Sequence, residues 1–258
     1  MSQLTLAPAP GAAPFGTMVW SHARMETRLL LRNGEQLLLA LVIPMLILIG
    51  GAESGGVVNL GSGRRIDVLT PGVLALAVMS TSFTSLAIAT GFERRYGVLK
   101  RLGASPLPRT GLLLGKVISL FLVEAAQVVV VGAVGLLLGW HPHTDPGAVL
   151  WAVALVLAGT AAFAGLALLM AGTLRAEATL AAANLVYVLL LVAGAVVVPL
   201  SSYPVGMRDV VTLLPSGALA EGLRESLNGG TVHPARLLVL LVWAAAAAVC
   251  TVRAFRWE

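Results

Sequence analysis

The chain has 258 residues, 58% of them hydrophobic and only 11% charged, with a mean hydropathy of +0.92. A soluble domain carries about 25% charged residues, so this composition excludes that class and indicates an integral membrane protein. The pI near 10.1 comes from Arg and Lys at the ends of apolar runs and not from one basic face on a polar domain, which argues against a nucleic-acid binder.

In chain order, Met1 to Gly16 has no basic start and contains Pro8, Pro10 and Pro14, so it reads as a disordered tail and not as a signal peptide. Residues 17–35 form a helix too polar to cross a bilayer. Its Arg24, Arg28 and Arg32 fall at i, i+4 spacing and make a basic stripe suited to lying against anionic lipid. Six spans are then predicted by the roughly 20 apolar residues that hydrocarbon requires: about 36–52, 69–92, 111–139, 149–172, 179–200 and 235–252. The first is short and holds Pro44, tolerable in a membrane helix when a neighbour satisfies the freed carbonyl. After the fifth span, Ser201-Ser202-Tyr203-Pro204 breaks the chain. The apolar Met207, Val210, Val211, Leu213 and Leu214 precede Pro215, and Ser216 is placed to cap a helix with Leu219, Leu223 and Leu227 on one face. Two short amphipathic helices folded back into the outer leaflet are expected there.

Taken together, the fold class is an all-α integral membrane protein. Six transmembrane helices follow an N-terminal interfacial helix, and short outer re-entrant helices precede the last span. With the N-terminus inside, 12 of the 17 Lys and Arg residues fall in cytoplasmic segments and five outside; the positive-inside rule therefore places both termini in the cytoplasm. Lys is limited to Lys100 and Lys116 while Arg, Ala, Val, Gly and Leu abound, the outcome of high-GC coding, and points to a prokaryotic plasma membrane.

Motifs for soluble chemistry are missing. Gly111-Leu112-Leu113-Leu114-Gly115-Lys116-Val117 is one residue short of a P-loop and has Val where the magnesium-ligating hydroxyl belongs. There is no zincin motif, nucleophile elbow or carboxylate cluster. Cys250 is the lone cysteine, so neither a disulfide framework nor a thiolate metal site is expected. His141 and His143 flank Pro142 in an outer loop, where a surface role is the default.

Positive charge is concentrated in the break between the second and third spans, from Phe92 to Arg109, which holds five of the Lys and Arg residues. Phe92, Tyr96, Leu99 and Gly103 follow a helical repeat, while Arg94, Arg95, Lys100 and Arg101 point elsewhere. Gly103 and Ser105-Pro106 end the helix. Taken alone, this segment is either a charged turn that anchors topology or a surface helix that docks a partner. The pattern Glu93-Arg94-x-x-Gly97-x-Leu99-x-x-Leu102-x-x-Ser105-Pro106-Leu107, followed by Gly115-Lys116 and later by Leu214-Pro215 and Leu223-Arg224, resembles the type-2 ABC transporter permeases, the exporters that include daunorubicin-type drug permeases. Arg95-Tyr96-Gly97-Val98-Leu99 stands where that family usually has Glu-x-Gly-Thr-Leu.

The resemblance implies that this loop is a coupling helix resting on a separate ATPase subunit. Glu93, Arg94, Arg95, Tyr96, Gly97, Leu99, Lys100 and Arg101 would then transmit ATP-driven closure. It also implies a second permease subunit, identical or not, and export of a drug, lipid or glycolipid. ATP and magnesium would be bound by the partner ATPase, with no cofactor on this chain, which would be a transport subunit and not an enzyme. In the membrane, Glu124 stands about a dozen residues into the third span with Gln127 one turn on. Together with Asn184 they are the substrate-path candidates, against the alternative of interhelical hydrogen bonding. The rival reading is a stand-alone proton- or ion-coupled secondary transporter using Glu124. A lipid-modifying enzyme is disfavoured for want of a polar constellation.

Overall fold

The structure, a computed structural model, describes residues 13–34, 38–53 and 64–254. Most of the expected tail, residues 1–12, lies outside them. Helix α1 (Phe15–Arg32) has Val19, His22, Ala23 and Glu26 on its buried face and packs along the first half of α5. Its basic stripe, Arg24, Arg28 and Arg32, is exposed, as the i, i+4 spacing predicts. A π-helical turn, Leu38–Val42, leads into α2 (Ile43–Glu53).

Helix α3 (Arg65–Arg95) is the central element, buried inside the bundle along most of its length. It is interrupted by a π segment, Ser80–Ser85. A short helix α4 (Val98–Gly103) follows, then the long α5 (Arg109–Leu137), α6 (Pro146–Thr173) and α7 (Ala176–Ala193). Helices α8 (Val205–Leu213) and α9 (Pro215–Leu227) are the two short helices expected before the last span, and α10 (Pro234–Ala254) closes the bundle. Five helices among the described residues are long and apolar enough to cross a membrane: α3, α5, α6, α7 and α10. Ala40–Glu53 is a shorter apolar helix, and residues 36–37 of the first expected span lie outside the described residues.

Local chemistry explains several boundaries. Asp145 accepts from the Ala148 N–H at 3.1 Å and Pro146 occupies the first helical position of α6, a capped start that makes the helix begin three residues before the expected 149. The third span stops at Leu137 because Gly139 turns the chain at φ 89°. The fifth stops at Ala193 and not at 200. There Gly194 ends the helix, and Ala195 adopts the left-handed conformation at φ 55°. Such strain in a residue with a Cβ persists only where its surroundings impose it. Ser216 does not cap α9: Leu214 holds the cap position without a side-chain bond and Pro215 is the first helical residue.

Among the described residues, both prolines inside apolar helices have their freed carbonyls satisfied by a side chain from elsewhere in the fold. Pro71 cannot donate to the Asp67 carbonyl, and that oxygen accepts from Asn228 Nδ2 at 2.7 Å. Pro44 likewise frees the Ala40 carbonyl, which accepts from Gln127 Nε2 at 2.5 Å. The core collects around α3. Phe83 meets Phe163 of α6 with ring centroids 6.4 Å apart, and Leu76, Met79, Leu155, Leu219, Leu223 and Leu240 are fully buried around it. Helix α9 contributes Leu219 and Leu223 by inserting between α3, α6 and α10.

Candidate functional site

The basic break between α3 and α5 folds as a helix, a hinge and a second helix. The end of α3 carries its hydrogen-bond ladder through Tyr96, whose N–H reaches the Phe92 carbonyl at 2.9 Å. Gly97 then takes φ 66°, a left-handed turn that a residue with a Cβ rarely adopts, so α4 leaves in a new direction. Ser105 closes α4 by donating to the Leu102 carbonyl at 2.6 Å and accepting from the Leu107 N–H at 3.3 Å.

Apart from the hinge Gly97, the eight residues expected to couple divide into two groups. Tyr96, 60% exposed, lies on the surface with Arg95, Lys100 and Arg101. Tyr96 stacks on Phe92 with centroids 6.0 Å apart, and the Arg95 guanidinium lies 5.7 Å from its ring centroid. Arg95 also pairs with Glu177 at the head of α7. The other group is engaged inside the chain. Leu99 is only 8% exposed and faces the bundle. Arg94 donates to the carbonyls of Gly172, at 2.6 Å, and Leu174, capping the end of α6. Glu93 accepts from Lys116 Nζ of α5 at 2.7 Å.

Lys116 is the centre of a buried ion cluster. Its ammonium also donates to Glu26 of α1 at 2.9 Å, and His22 Nε2 lies 3.4 Å from the same Glu26 oxygen. Three elements, α1, α3 and α5, are thus tied at the point where the loop leaves the bundle. Burial pulls the His22 pKa below its ordinary 6.5, with Glu26 opposing the shift, so the imidazole stays neutral at pH 7. Nothing in the sequence pointed to Glu26's partner, and Lys116 stood out only in a near-miss P-loop stretch and in the loop pattern. Glu26 and Lys116 are 90 residues apart, and the one local signal was an acidic residue on the apolar face of α1.

The intramembrane candidates are brought together only in part. Glu124 is 2% exposed and Oε2 accepts from Thr160 of α6 at 2.8 Å. Its Oε1 is buried without a hydrogen-bond partner. Gln127 accepts from Thr81 of the π segment at 2.9 Å while donating to Ala40, so both irregular turns are bonded to one amide. Asn184 sits on α7, half-buried, away from this pair in the hydrogen-bond pattern.

A second polar centre escaped the sequence reading. Arg224 of α9 is buried and donates to the carbonyls of Val68 at 3.0 Å, Ala195 at 2.6 Å and Val196 at 2.5 Å. It also pairs with Glu221 at 2.8 Å, and Glu221 accepts from the Leu200 N–H at 2.8 Å. This fork holds the left-handed Ala195 in place and joins the short helices α8 and α9 to the start of α3. The i, i+3 spacing of Glu221 and Arg224 was the available signal.

The geometry is thus that of a membrane bundle with a helical loop mounted rigidly at one end and a pair of short helices wedged in the other. No curated protein matches the chain. Residues 17–228 match the family model described as ABC-2 type transporter, a span that begins in α1 and takes in the α4 loop, the Lys116 cluster and the Arg224 fork. The chain belongs to the ABC-2 type transporter family.

Proposed function

We propose that the chain is the permease half of an ATP-driven exporter in a prokaryotic plasma membrane. It works with a second permease subunit and with a separate ATPase, which binds ATP and magnesium and docks on the α4 loop. An amphiphilic substrate, a drug, lipid or glycolipid, fits the scarcity of charge in the spans. The observation that carries this reading is the mounting of α4: Gly97 turns it across the end of the bundle, its inner side is anchored by Leu99, and its Lys100 and Arg101, with Tyr96 at the preceding end of α3, are exposed. A helix held this way moves with α3, α5 and α6 as one piece. Glu93 and Arg94 serve as positioning residues that fix the mounting, and Tyr96 and Arg101 form the contact face.

The test is co-purification with a co-expressed candidate ABC ATPase subunit. Tyr96→Asp combined with Arg101→Glu reverses the chemistry of the contact face without touching the buried bonds, and ATPase recovery is expected to fall about tenfold or more, the loss of an aromatic and a charged anchor. Recovery equal to wild type would overturn the docking assignment. Leu99→Asp is the wrong probe, because it buries a charge inside this chain and damages the fold itself.

Orientation is tested apart from partners. In a Cys250→Ala background, a cysteine at position 62 should react with an impermeant maleimide applied to intact cells, and one at position 105 only after permeabilisation; the reverse pattern would place α4 outside.

Glu124 separates this reading from proton-coupled transport. Gln keeps an acceptor for the Thr160 hydroxyl, so Glu124→Gln is expected to cost under about 1 kcal/mol of stability and to leave ATP-dependent transport in proteoliposomes largely intact. Transport driven by a proton gradient without the ATPase, and lost in Glu124→Gln, would favour the secondary transporter.

A further inference from the structure

Helix α1 presents four sides with different surroundings. Its buried side, Val19, His22, Ala23 and Glu26, faces α5: a Cβ on Gly111 would meet the Phe15 ring at 3.1 Å, one on Gly115 would collide with the His22 ring, and Glu26 pairs with Lys116. From Phe15 to Glu26 the helix advances about 16 Å, while its contacts on α5 advance from Gly111 to Lys116, only about 7 Å. The helix therefore lies across α5, nearer to the bilayer plane than to its normal. These contacts fall at the very start of the membrane-crossing stretch Thr110–Leu137, which sets α1 at the depth of the lipid headgroups. On one flank of the buried side, Leu29 borders a groove with Phe92 of α3, Tyr96 after it and Val98 of α4, so this flank faces the loop and water. At about 100° per residue, Trp20 and Leu31 stand on the opposite flank, and both are exposed. That flank is turned to the hydrocarbon, where an indole at the interface is well placed. The fourth side, directed away from α5, carries Arg24 and Arg28, with Arg32 at the edge of the groove, all three exposed.

The charge of this fourth side is uncompensated. Glu26 is the one carboxylate of α1 and is buried against Lys116, and no ion pair to another described residue involves the three arginines. Guanidinium groups match phosphate in both charge and fork geometry, and phosphate is the anion that the headgroup layer supplies. We propose that Arg24, Arg28 and Arg32 form a binding surface for the phosphates of anionic phospholipids, with Trp20 and Leu31 set among the acyl chains. An anionic headgroup is favoured over a zwitterionic one because choline or ethanolamine would bring a further cation beside three that have no counter-ion. Helix α1 is then clamped from two sides, by lipid phosphate outside and by Lys116 inside. Since Lys116 also binds Glu93, the clamp reaches the root of the α4 loop. The proposal needs only the membrane placement of the bundle, and neither the ATPase nor the direction or energy source of transport.

The test uses the full chain in phosphatidylcholine nanodiscs, with a fluorophore on Ser21→Cys in a Cys250→Ala background; Ser21 is exposed on the arginine side. A trace of phosphatidylglycerol bearing a nitroxide near the top of one acyl chain should quench it several-fold more than the same label on phosphatidylcholine. Unlabelled phosphatidylglycerol should displace the quencher, and added phosphatidylcholine should not. Arg24→Gln, Arg28→Gln and Arg32→Gln together should lower the preference for phosphatidylglycerol about tenfold or more, whereas the three corresponding Arg→Lys substitutions, which keep the charge, should retain most of it. All three arginines lie outside the buried cluster, so the melting temperature of the glutamine variant in phosphatidylcholine should match wild type. Equal quenching by the two lipids in wild type would overturn the anionic assignment whatever the variants do. A preference that survives the triple glutamine substitution would mean ordinary annular lipid and overturn the site. Quenching by aqueous iodide and by neither lipid would show that the stripe faces water, within reach of a protein partner and not of headgroups, and would overturn it too.

Discussion

Lys116→Met is expected to destabilise the chain by about 3–5 kcal/mol, the usual consequence of removing one partner from a buried ion pair. The substitution keeps most of the apolar stem, so the loss is electrostatic: Glu26 and Glu93 would be left facing each other with no cation between them. Thermal denaturation in detergent should show a fall on the order of 10 °C. Replacing all three charges together, Glu26→Gln, Glu93→Gln and Lys116→Met, should recover much of it, because neutral amides of similar size need no counter-ion. An unchanged melting temperature in Lys116→Met would show that the cluster contributes nothing to the docking of α1. The result also bears on the loop: if α1 and α3 are held together through Lys116, the single substitution should reduce ATPase recovery in proportion to the loss of folded protein, and the triple variant should restore both.

Arg224→Met should have an effect of similar size at the other end of the bundle. The substitution strips the donors from the carbonyls of Val68, Ala195 and Val196. Each buried acceptor left without a partner costs about 1–3 kcal/mol, and Glu221 loses its cation as well. Arg224→Lys should rescue little, since an ammonium is a point donor and cannot span three carbonyls as the planar fork does. Gly72 gives an independent probe of the same joint, because a Cβ there would collide with the Val196 carbonyl and come within 2.5 Å of the Arg224 guanidinium. Gly72→Val should therefore destabilise as Arg224→Met does, and the two together should cost less than their sum, since they break one joint. Limited proteolysis at residues 194–204 measures the opening directly. Resistance equal to wild type in both variants would show that α8 and α9 are held by apolar packing alone.

The sequence by itself determined the features whose physics is local. Apolar runs of membrane-crossing length, the i, i+4 basic stripe of α1, the break at Pro204, and the paired short helices before α10 are each written in consecutive residues, because helix period and turn chemistry act over a few positions; the hinge at Gly97 was not, since the repeat from Phe92 to Gly103 reads as one helix. The loop pattern around Glu93-Arg94 and Gly97 was legible for the same reason, and it pointed to the family that residues 17–228 match. Pro44 was legible as needing a donor for its freed carbonyl; that the donor is Gln127 was not.

Tertiary structure alone decided which loop residues face outward and which are anchors. Leu99 and Tyr96 both lie on the predicted apolar stripe, yet one is 8% exposed and the other 60%, since the left-handed turn at Gly97 redirects the helix between them. Apart from Glu221, the partners of Lys116, Glu124 and Arg224 come from elements 23 to 156 residues distant. No periodicity reports such pairs, because they exist only once the helices have packed and each polar group, barred from water, must find its partner across the bundle.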